Sequence, residues 1–121
     1  AQMLEIEAGR LYAAAENIGG RHVITVLLGE RSMNDLRLLA KALGAHADCV
    51  ALLAGVEHGR VSLAAACGSE TGLKAGDLIR RYIAQINGRG GGDAALAQGG
   101  GTATPDEVQR MLDQARADLS G

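Results

Sequence analysis

The chain has 121 residues, a length that fits one domain with a modest core. Its 12 basic and 14 acidic residues nearly balance, which excludes the broad basic surface that strong nonspecific binding to nucleic acid needs. Phe and Trp are absent and there are only two tyrosines, so single-strand binding on a row of aromatic platforms is disfavoured. No apolar run approaches the roughly 18 residues that span a bilayer. We therefore expect no membrane contact and a cytoplasmic location.

Residues 1–19 carry a heptad pattern. Apolar side chains alternate spacings of four and three, which places them on one face of a helix: Leu4, Ala8, Leu11, Ala15 and Ile18. Gly19-Gly20 is expected to end this helix. Its apolar face either packs on its own domain or contacts another domain or a second copy of the chain.

Residues 20–121 are predicted to form one α/β domain. The run Val23–Leu28 predicts a buried strand, and Ser32 followed by Asp35 predicts a helix that ends at Gly44. Two further strands are predicted at Cys49–Ala54 and Val61–Ala66, joined by a hairpin turn.

A second helix is predicted from Lys74 to Asn87-Gly88, a weak strand at Ala94–Gln98, and a last helix that Thr104, Pro105 and Glu107 begin. The order α-β-α-β-β-α-β-α predicts a single two-layer α/β sandwich, with a mixed sheet of about four to five strands and an N-terminal helix before it.

The segment 88–101 holds seven of the 18 glycines and frames a short apolar stretch. Glycine at this density costs backbone entropy on folding, so the fold or a ligand must require the absence of side chains here. Either the chain turns tightly for packing reasons, or the amide groups form a cationic nest that holds an anion. We predict a structured loop–strand–loop.

Basic side chains cluster before and inside this segment. Lys74 and Arg81 lie two helical turns apart and share a stripe that leads toward Arg89, whereas Arg80 points about 100° away from Arg81. The stripe is either a solvated helix face or a phosphate-contacting patch. The candidate nucleic-acid-binding residues are Lys74, Arg81, Arg89, Gly90, Gly91 and Gly92.

Other reactive side chains give no catalytic or metal pattern. His22, His46 and His58 lack ligand spacing, and no nucleophile has a neighbouring base in sequence. A three-residue turn at Glu57–Gly59 would place Cys49 opposite Cys67, as two buried thiols or as a redox-sensitive bridge. We expect no catalytic residue, no metal and no cofactor in this chain.

The run Gly88-Arg89-Gly90-Gly91-Gly92, four residues, and then Ala97-Gln98-Gly99-Gly100-Gly101 resembles the glycine signature of the DHH-associated domain. That module ends alanyl-tRNA synthetases and accompanies DHH phosphoesterases. Three upstream segments are also similar, at Val50–Leu53, Arg60–Leu63 and Lys74–Ile79, so the resemblance covers roughly residues 33–119. Asp93, Ala94 and Ala95 depart from the usual basic residue, proline and acid.

The resemblance implies the non-catalytic C-terminal domain of an alanyl-tRNA synthetase, which engages the elbow of an alanine tRNA and supports dimer or interdomain architecture. ATP, Mg and Zn would serve only other parts of the synthetase. Two alternatives stay open. One is the substrate-binding domain of a DHH phosphoesterase acting on nucleic acid or nucleotides, and the other is an oligomerisation module that uses the N-terminal helix without RNA contact.

Overall fold

The computed structural model describes residues 2–120, in which helices and strands alternate. The elements are α1 (Gln2–Ala14), β1 (Glu16–Ile18), β2 (Arg21–Leu27), α2 (Met33–Gly44), β3 (Cys49–Glu57), β4 (Arg60–Cys67), α3 (Ala75–Ile83, extended by a 3-10 turn at Ala84–Ile86), β5 (Arg89–Gly92), β6 (Leu96–Thr102) and α4 (Pro105–Ser120). Within this range no helix is both long enough and apolar enough to cross a bilayer.

The strands form one mixed sheet in the order β1-β2-β3-β4-β6-β5. Only β2 and β3 pair in parallel, and the other neighbours are antiparallel. The predicted α/β sandwich with a mixed sheet and an N-terminal helix is confirmed. The predicted count of four to five strands is too low, because the two edge strands β1 and β5 are short and carry few residues of high β-propensity.

Helices cover both faces of the sheet. Alternate residues of β3 face opposite sides, so Val50, Leu52 and Ala54 pack with α3 and α4. Cys49, Ala51 and Leu53 pack with α2 and α1 on the other side. Because both faces of β3 are buried, its sequence is a continuous apolar run with no polar alternation.

The N-terminal helix is shorter than predicted. It ends at Ala14, and the chain turns back through β1 into β2, with Gly19 and Gly20 at φ 60° and 88° in the hairpin turn. Ile18 therefore belongs to a strand. Leu4, Ala8 and Leu11 do share the inner face of α1, where they pack against the α2 cluster. The heptad pattern predicted this face correctly but could not show that the two glycines close a hairpin.

A stack of three rings joins α1 to the rest of the domain. The Tyr12 ring lies between His22 and His46, with centroids 4.3 Å and 3.8 Å away and interplanar angles of 20° and 11°. Its hydroxyl donates to Asp48 Oδ1 at 2.7 Å, and His22 Nδ1 lies 2.8 Å from Asp48 Oδ2. The bond to Asp48 raises the pKa of Tyr12 to about 12, and the same bond lowers the pKa of the Asp48 carboxyl.

The predicted helix starts are confirmed. Ser32 Oγ accepts from the Asp35 amide at 3.2 Å at the start of α2. At α4, Thr104 Oγ1 accepts from the Glu107 amide, and Glu107 Oε1 accepts from the Thr104 amide at 2.9 Å. This reciprocal pair is a complete capping box, so the last helix begins where the sequence predicted.

The predicted pairing of the two cysteines is wrong. The turn between β3 and β4 has two residues, His58 and Gly59, both at positive φ, and Glu57 pairs with Arg60. Cys67 therefore lies opposite Val50. A shift of one residue moves a side chain to the other face of the sheet, so Cys49 packs with α2 and Cys67 packs with α3 and α4. A direct bridge between these thiols is excluded, and the interpretation as two buried thiols holds.

We predict that neither thiol reacts quickly in the native protein. Burial raises the pKa of Cys49 to about 12 and that of Cys67 to about 11. Because the thiolate is the reactive form, a disulfide reagent at about pH 8 should label both thiols slowly in buffer and both at once in denaturant. Oxidant should leave the monomer mass and mobility unchanged. A rapid intramolecular disulfide would contradict this register.

We also predict that acid weakens the docking of α1. The folded pKa of Asp48 is depressed, so its contribution to stability is present above the usual carboxyl pKa and is lost as pH falls through the folded value. The protection factors of the α1 amides, which correct for the slower intrinsic exchange in acid, should fall below about pH 4. Asp48→Asn should show faster exchange in α1 at neutral pH and a weaker dependence on acid, and exchange in α1 that is equal for both proteins would contradict the prediction.

Candidate nucleic-acid interface

The glycine segment forms the outer edge of the sheet. Strands β5 and β6 with the turn at residues 93–95 make an antiparallel hairpin, called the glycine hairpin below, in which β6 also pairs with β4. The predicted loop–strand–loop with a strand at Ala94–Gln98 is therefore corrected to strand–turn–strand. Glycine has little strand propensity, so β5 was not predicted from the sequence.

Packing requires five of the seven glycines in the segment 88–101. A Cβ on Gly90 or Gly92 would lie 2.4 Å or 2.5 Å from the Cα of the opposite residue in β6. A Cβ on Gly88 or Gly101 would lie 2.4 Å from a carbonyl oxygen, and one on Gly99 would lie 2.8 Å from Ile83 Cδ1. At the first four positions the atom met belongs to the backbone, so a side chain fits only if the backbone moves. At Gly99 the Ile83 side chain has to shift, and the Arg89 carbonyl oxygen is the next atom at 3.0 Å. Tight packing therefore accounts for these positions.

Gly91 and Gly100 have no such requirement. Neither has a positive φ, and the nearest atom to an added Cβ would be Arg80 Nη1 at 3.9 Å or the Val61 carbonyl oxygen at 3.5 Å. Both distances are ordinary contacts. Gly100 is exposed and Gly91 is half-buried, so their lack of a side chain leaves backbone that another molecule can approach closely.

The hairpin turn explains why Asp93 replaces the basic residue that is usual in the glycine signature. Its Oδ1 accepts from the amides of Ala95 and Leu96, both at 2.9 Å, and these backbone bonds lower the pKa of the carboxyl. Asp93 therefore closes the turn. Its carbonyl oxygen and that of Ala94 accept from the amides of Gly76 and Ala75 at 2.9 Å, so the first amides of α3 are occupied by the hairpin and cannot hold an anion.

The free amides of the hairpin lie along its outer edge. The Asp93 amide donates to the Leu96 carbonyl at 3.1 Å, which fixes the alternation of the ladder. By this alternation Gly91 is bonded to Gln98, and the amides of Gly90 and Gly92 point away from β6. These two exposed residues therefore offer N–H donors at the sheet edge.

The three basic residues of the predicted stripe, Lys74, Arg81 and Arg89, have different surroundings in the structure. Lys74 is exposed at the start of α3, and Arg89 is exposed on β5; neither forms an ion pair within residues 2–120. Arg81 instead binds Asp118 of α4 at 3.2 Å and lies 5.4 Å from the Tyr82 ring centroid. Burial and the bond to Asp118 raise the pKa of Tyr82 to about 12. Arg81 thus helps to join α3 to α4.

Arg80 is the arginine of α3 that faces the glycine hairpin. Its Nη1 lies 3.3 Å and 3.9 Å from the positions that a Cβ would take on Gly76 and Gly91. Its Nη2 binds Asp77 at 2.5 Å. The sequence showed that Arg80 and Arg81 diverge, but not which of them faces the hairpin, because that depends on where β5 lies against α3.

One group of metal-binding side chain types comes together elsewhere. Potential ligand atoms of Glu30, Glu57 and His58 lie within 4.8 Å of one another, and all three residues are exposed. From the sequence His58 was interpreted as isolated, because the loop after β2 and the β3–β4 turn, which meet here, are far apart in the chain. Glu57 and His58 lie at the β3–β4 turn and Glu30 lies in the loop between β2 and α2, all outside the glycine hairpin.

We predict that the two kinds of glycine respond differently to alanine. Gly90→Ala and Gly99→Ala should each lower the free energy of unfolding by about 1–3 kcal/mol, the usual cost of overpacking. Gly91→Ala and Gly100→Ala should change it by less than about 1 kcal/mol, and in the stabilising direction because the unfolded chain loses freedom. Urea denaturation of the four variants tests this. Equal losses at all four positions would contradict the division.

Comparison with known proteins agrees with this architecture. The DHHA1 domain model matches residues 19–121. An alanine–tRNA ligase from Acidothermus cellulolyticus is 41% identical over 125 residues, a match that covers 93% of this chain and 14% of the ligase. The chain therefore spans only a small part of the curated relatives that it matches.

Solved structures give the same result. The C-Ala domain from Aquifex aeolicus alanyl-tRNA synthetase is similar with a TM-score of 0.79 at 29% identity, over 88% of this chain and 98% of that chain. RecJ from Thermus thermophilus, at 19% identity and a TM-score of 0.53, covers 96% of this chain and 18% of its own and shows the fold alone. The resemblance to the C-terminal module of alanyl-tRNA synthetases is confirmed, and the chain belongs to the DHHA1 domain family.

Proposed function

We propose that this domain, itself without catalytic activity, binds the elbow of an alanine tRNA within an alanyl-tRNA synthetase of the cytoplasm. The observation that carries the proposal is the match to almost the whole C-Ala domain, together with a glycine hairpin whose open backbone has no structural explanation. ATP, Mg and Zn would then act in other domains of the synthetase.

The chemistry of the hairpin suits a phosphate backbone. Amides of Gly90 and Gly92 face the sheet edge, and the cations of Arg80 and Arg89 flank them. Backbone N–H groups and arginine are both good donors to phosphate. Gly91 and Gly100 leave room for a ribose–phosphate chain to approach. With a net charge of −2 for the chain, the contact has to be local and modest in strength.

Of the predicted basic residues, Arg89 fits this role best. It is exposed beside the open glycines and has no ion pair among residues 2–120. Lys74 is an outer contact at the start of α3. Arg81 contributes at most its long-range charge, because Asp118 already binds it.

A second function rests on the outer face of α1. Met3 is 85% exposed and Ile6 54% exposed, although the inner face of the same helix is packed. A helix that is apolar on both sides favours a second partner. We propose that α1 contacts either another domain of the synthetase or the same helix of a second copy, in addition to the RNA contact.

The phosphoesterase alternative rests on fold alone. The similarity to RecJ is at 19% identity, whereas the synthetase relative is 41% identical over almost the whole chain. The substrate-binding domain of a DHH phosphoesterase therefore remains the weaker proposal. An Asp-His-His motif in the preceding part of the protein would favour it.

We predict that the domain binds folded tRNA and that Arg89 contributes. Fluorescence anisotropy with labelled alanine tRNA should show binding at low salt that weakens as salt rises, and no binding of a single-stranded oligonucleotide. Arg89→Gln should weaken binding about threefold or more at low salt and reduce the salt slope by about one, because one phosphate contact is lost. Arg110→Gln, an exposed arginine on α4, is the matched control and should change neither.

Two further variants separate close approach from charge. Gly91→Leu and Gly100→Leu keep the charge and place a bulky side chain on the open backbone, so they should abolish tRNA binding while the unfolding transition is preserved. Normal tRNA binding by both leucine variants would show that the glycine hairpin is not the contact surface. A wild-type domain that binds no tRNA even at low salt would leave the α1 contact as its function.

A further inference from the structure

A second RNA contact is available at the ring stack of α1. The three rings of His22, Tyr12 and His46 are stacked in that order, and the last of them is exposed. Among residues 2–120, only the Tyr12 ring stacks on His46. The stack therefore ends in an exposed histidine at the protein surface.

The stack is held rigidly from several sides. Asp48 bonds to both the Tyr12 hydroxyl and His22 Nδ1, which fixes two of the three rings. The backbone of His46 is fixed as well, because its amide donates to Leu43 at 3.1 Å and its carbonyl accepts from Cys49 at 3.1 Å. A ring that is already ordered loses little entropy when a ligand stacks on it.

The stack adjoins the turn of the glycine hairpin. A Cβ on Gly68 would lie 2.2 Å from the His46 carbonyl oxygen, so the end of β4 touches the loop that carries His46. The preceding residue, Cys67, donates its amide to the Ala95 carbonyl in the hairpin turn at 3.0 Å. One ligand that covers the hairpin and its turn can therefore reach the stack.

Composition alone argued against stacking, because the chain has no Phe or Trp and only two tyrosines. The structure changes this conclusion, since two histidines and one tyrosine from distant segments build a single platform. Histidine is among the side chains on which proteins stack unpaired RNA bases.

We propose that the exposed face of His46 binds a nucleobase by stacking, with Tyr12, His22 and Asp48 as its support. The ligand is an exposed base of the same RNA whose backbone lies on the glycine hairpin, so this inference rests on the proposed function. Phosphate contacts at the hairpin position the RNA, and the ring stack contacts a base.

The test compares His46 variants in anisotropy titrations with labelled alanine tRNA. His46→Ala should weaken binding about fivefold or more, the range found when a stacking ring is removed. His46→Phe should retain wild-type affinity, because it keeps a flat ring. His58→Ala, an exposed histidine at the β3–β4 turn, is the matched control and should bind as wild type.

A spectroscopic readout separates stacking from a merely structural role. The ring protons of His46 should move upfield when unlabelled tRNA is added, because a stacked base places them in its ring current, and those of His58 should not move. Unchanged affinity of His46→Ala while Arg89→Gln binds weakly would overturn the stacking proposal and leave the hairpin contact intact. Absence of tRNA binding by the wild-type domain would overturn both.

Discussion

The two strands of the glycine hairpin and the start of α3 are held in close backbone contact. Gly90 and Gly92 lie so near β6 that a Cβ on either would meet a Cα at 2.4 Å or 2.5 Å. Gly76 of α3 also lies close to the hairpin, since its Cβ would be 2.7 Å from the Gly92 carbonyl oxygen. Because the amides of Ala75 and Gly76 donate to the hairpin turn, the start of α3 and the sheet edge are fixed together.

This contact decides which groups remain free for a ligand. It uses the N-terminal amides of α3, and it turns Asp93 toward the backbone, where amide donors stabilise its charged carboxylate. It also brings Arg80 over the hairpin and leaves Gly91 and Gly100 open. The surface offered to RNA is therefore bare backbone with a few cations, a surface that suits shape and phosphate recognition better than base-specific hydrogen bonding.

Much of the fold could be predicted from the sequence where local chemistry decides. The capping box at Thr104 and the start of α2 at Ser32 depend on neighbouring residues and were predicted correctly. The register of β3 with β4 was predicted incorrectly. Whether the turn has two residues (His58 and Gly59) or three (Glu57–Gly59) is decided by the pairing along both whole strands, not by the turn sequence. One residue of register was enough to separate Cys49 from Cys67 by the thickness of the sheet.

The candidate site shows the same limit. Glycine density pointed to the correct segment, yet sequence gives no means to distinguish Gly91 from Gly90, because the difference lies in what stands opposite each residue. Likewise, the sequence favoured Arg81 as the arginine near the hairpin, whereas Arg80 lies there and Arg81 binds Asp118. The position of β5 against α3, which decides this, is a tertiary property. The ring stack of Tyr12, His22 and His46 joins three segments that no local pattern connects.

The most direct measurement of the central claim is an amide spectrum of the isotopically labelled domain during titration with unlabelled alanine tRNA. We expect shifts in the amides of Arg89 to Gly92 and of Gly100, with those at the centre of α4 unchanged. Shifts confined to α1 or α4, with an unperturbed glycine hairpin, would contradict it.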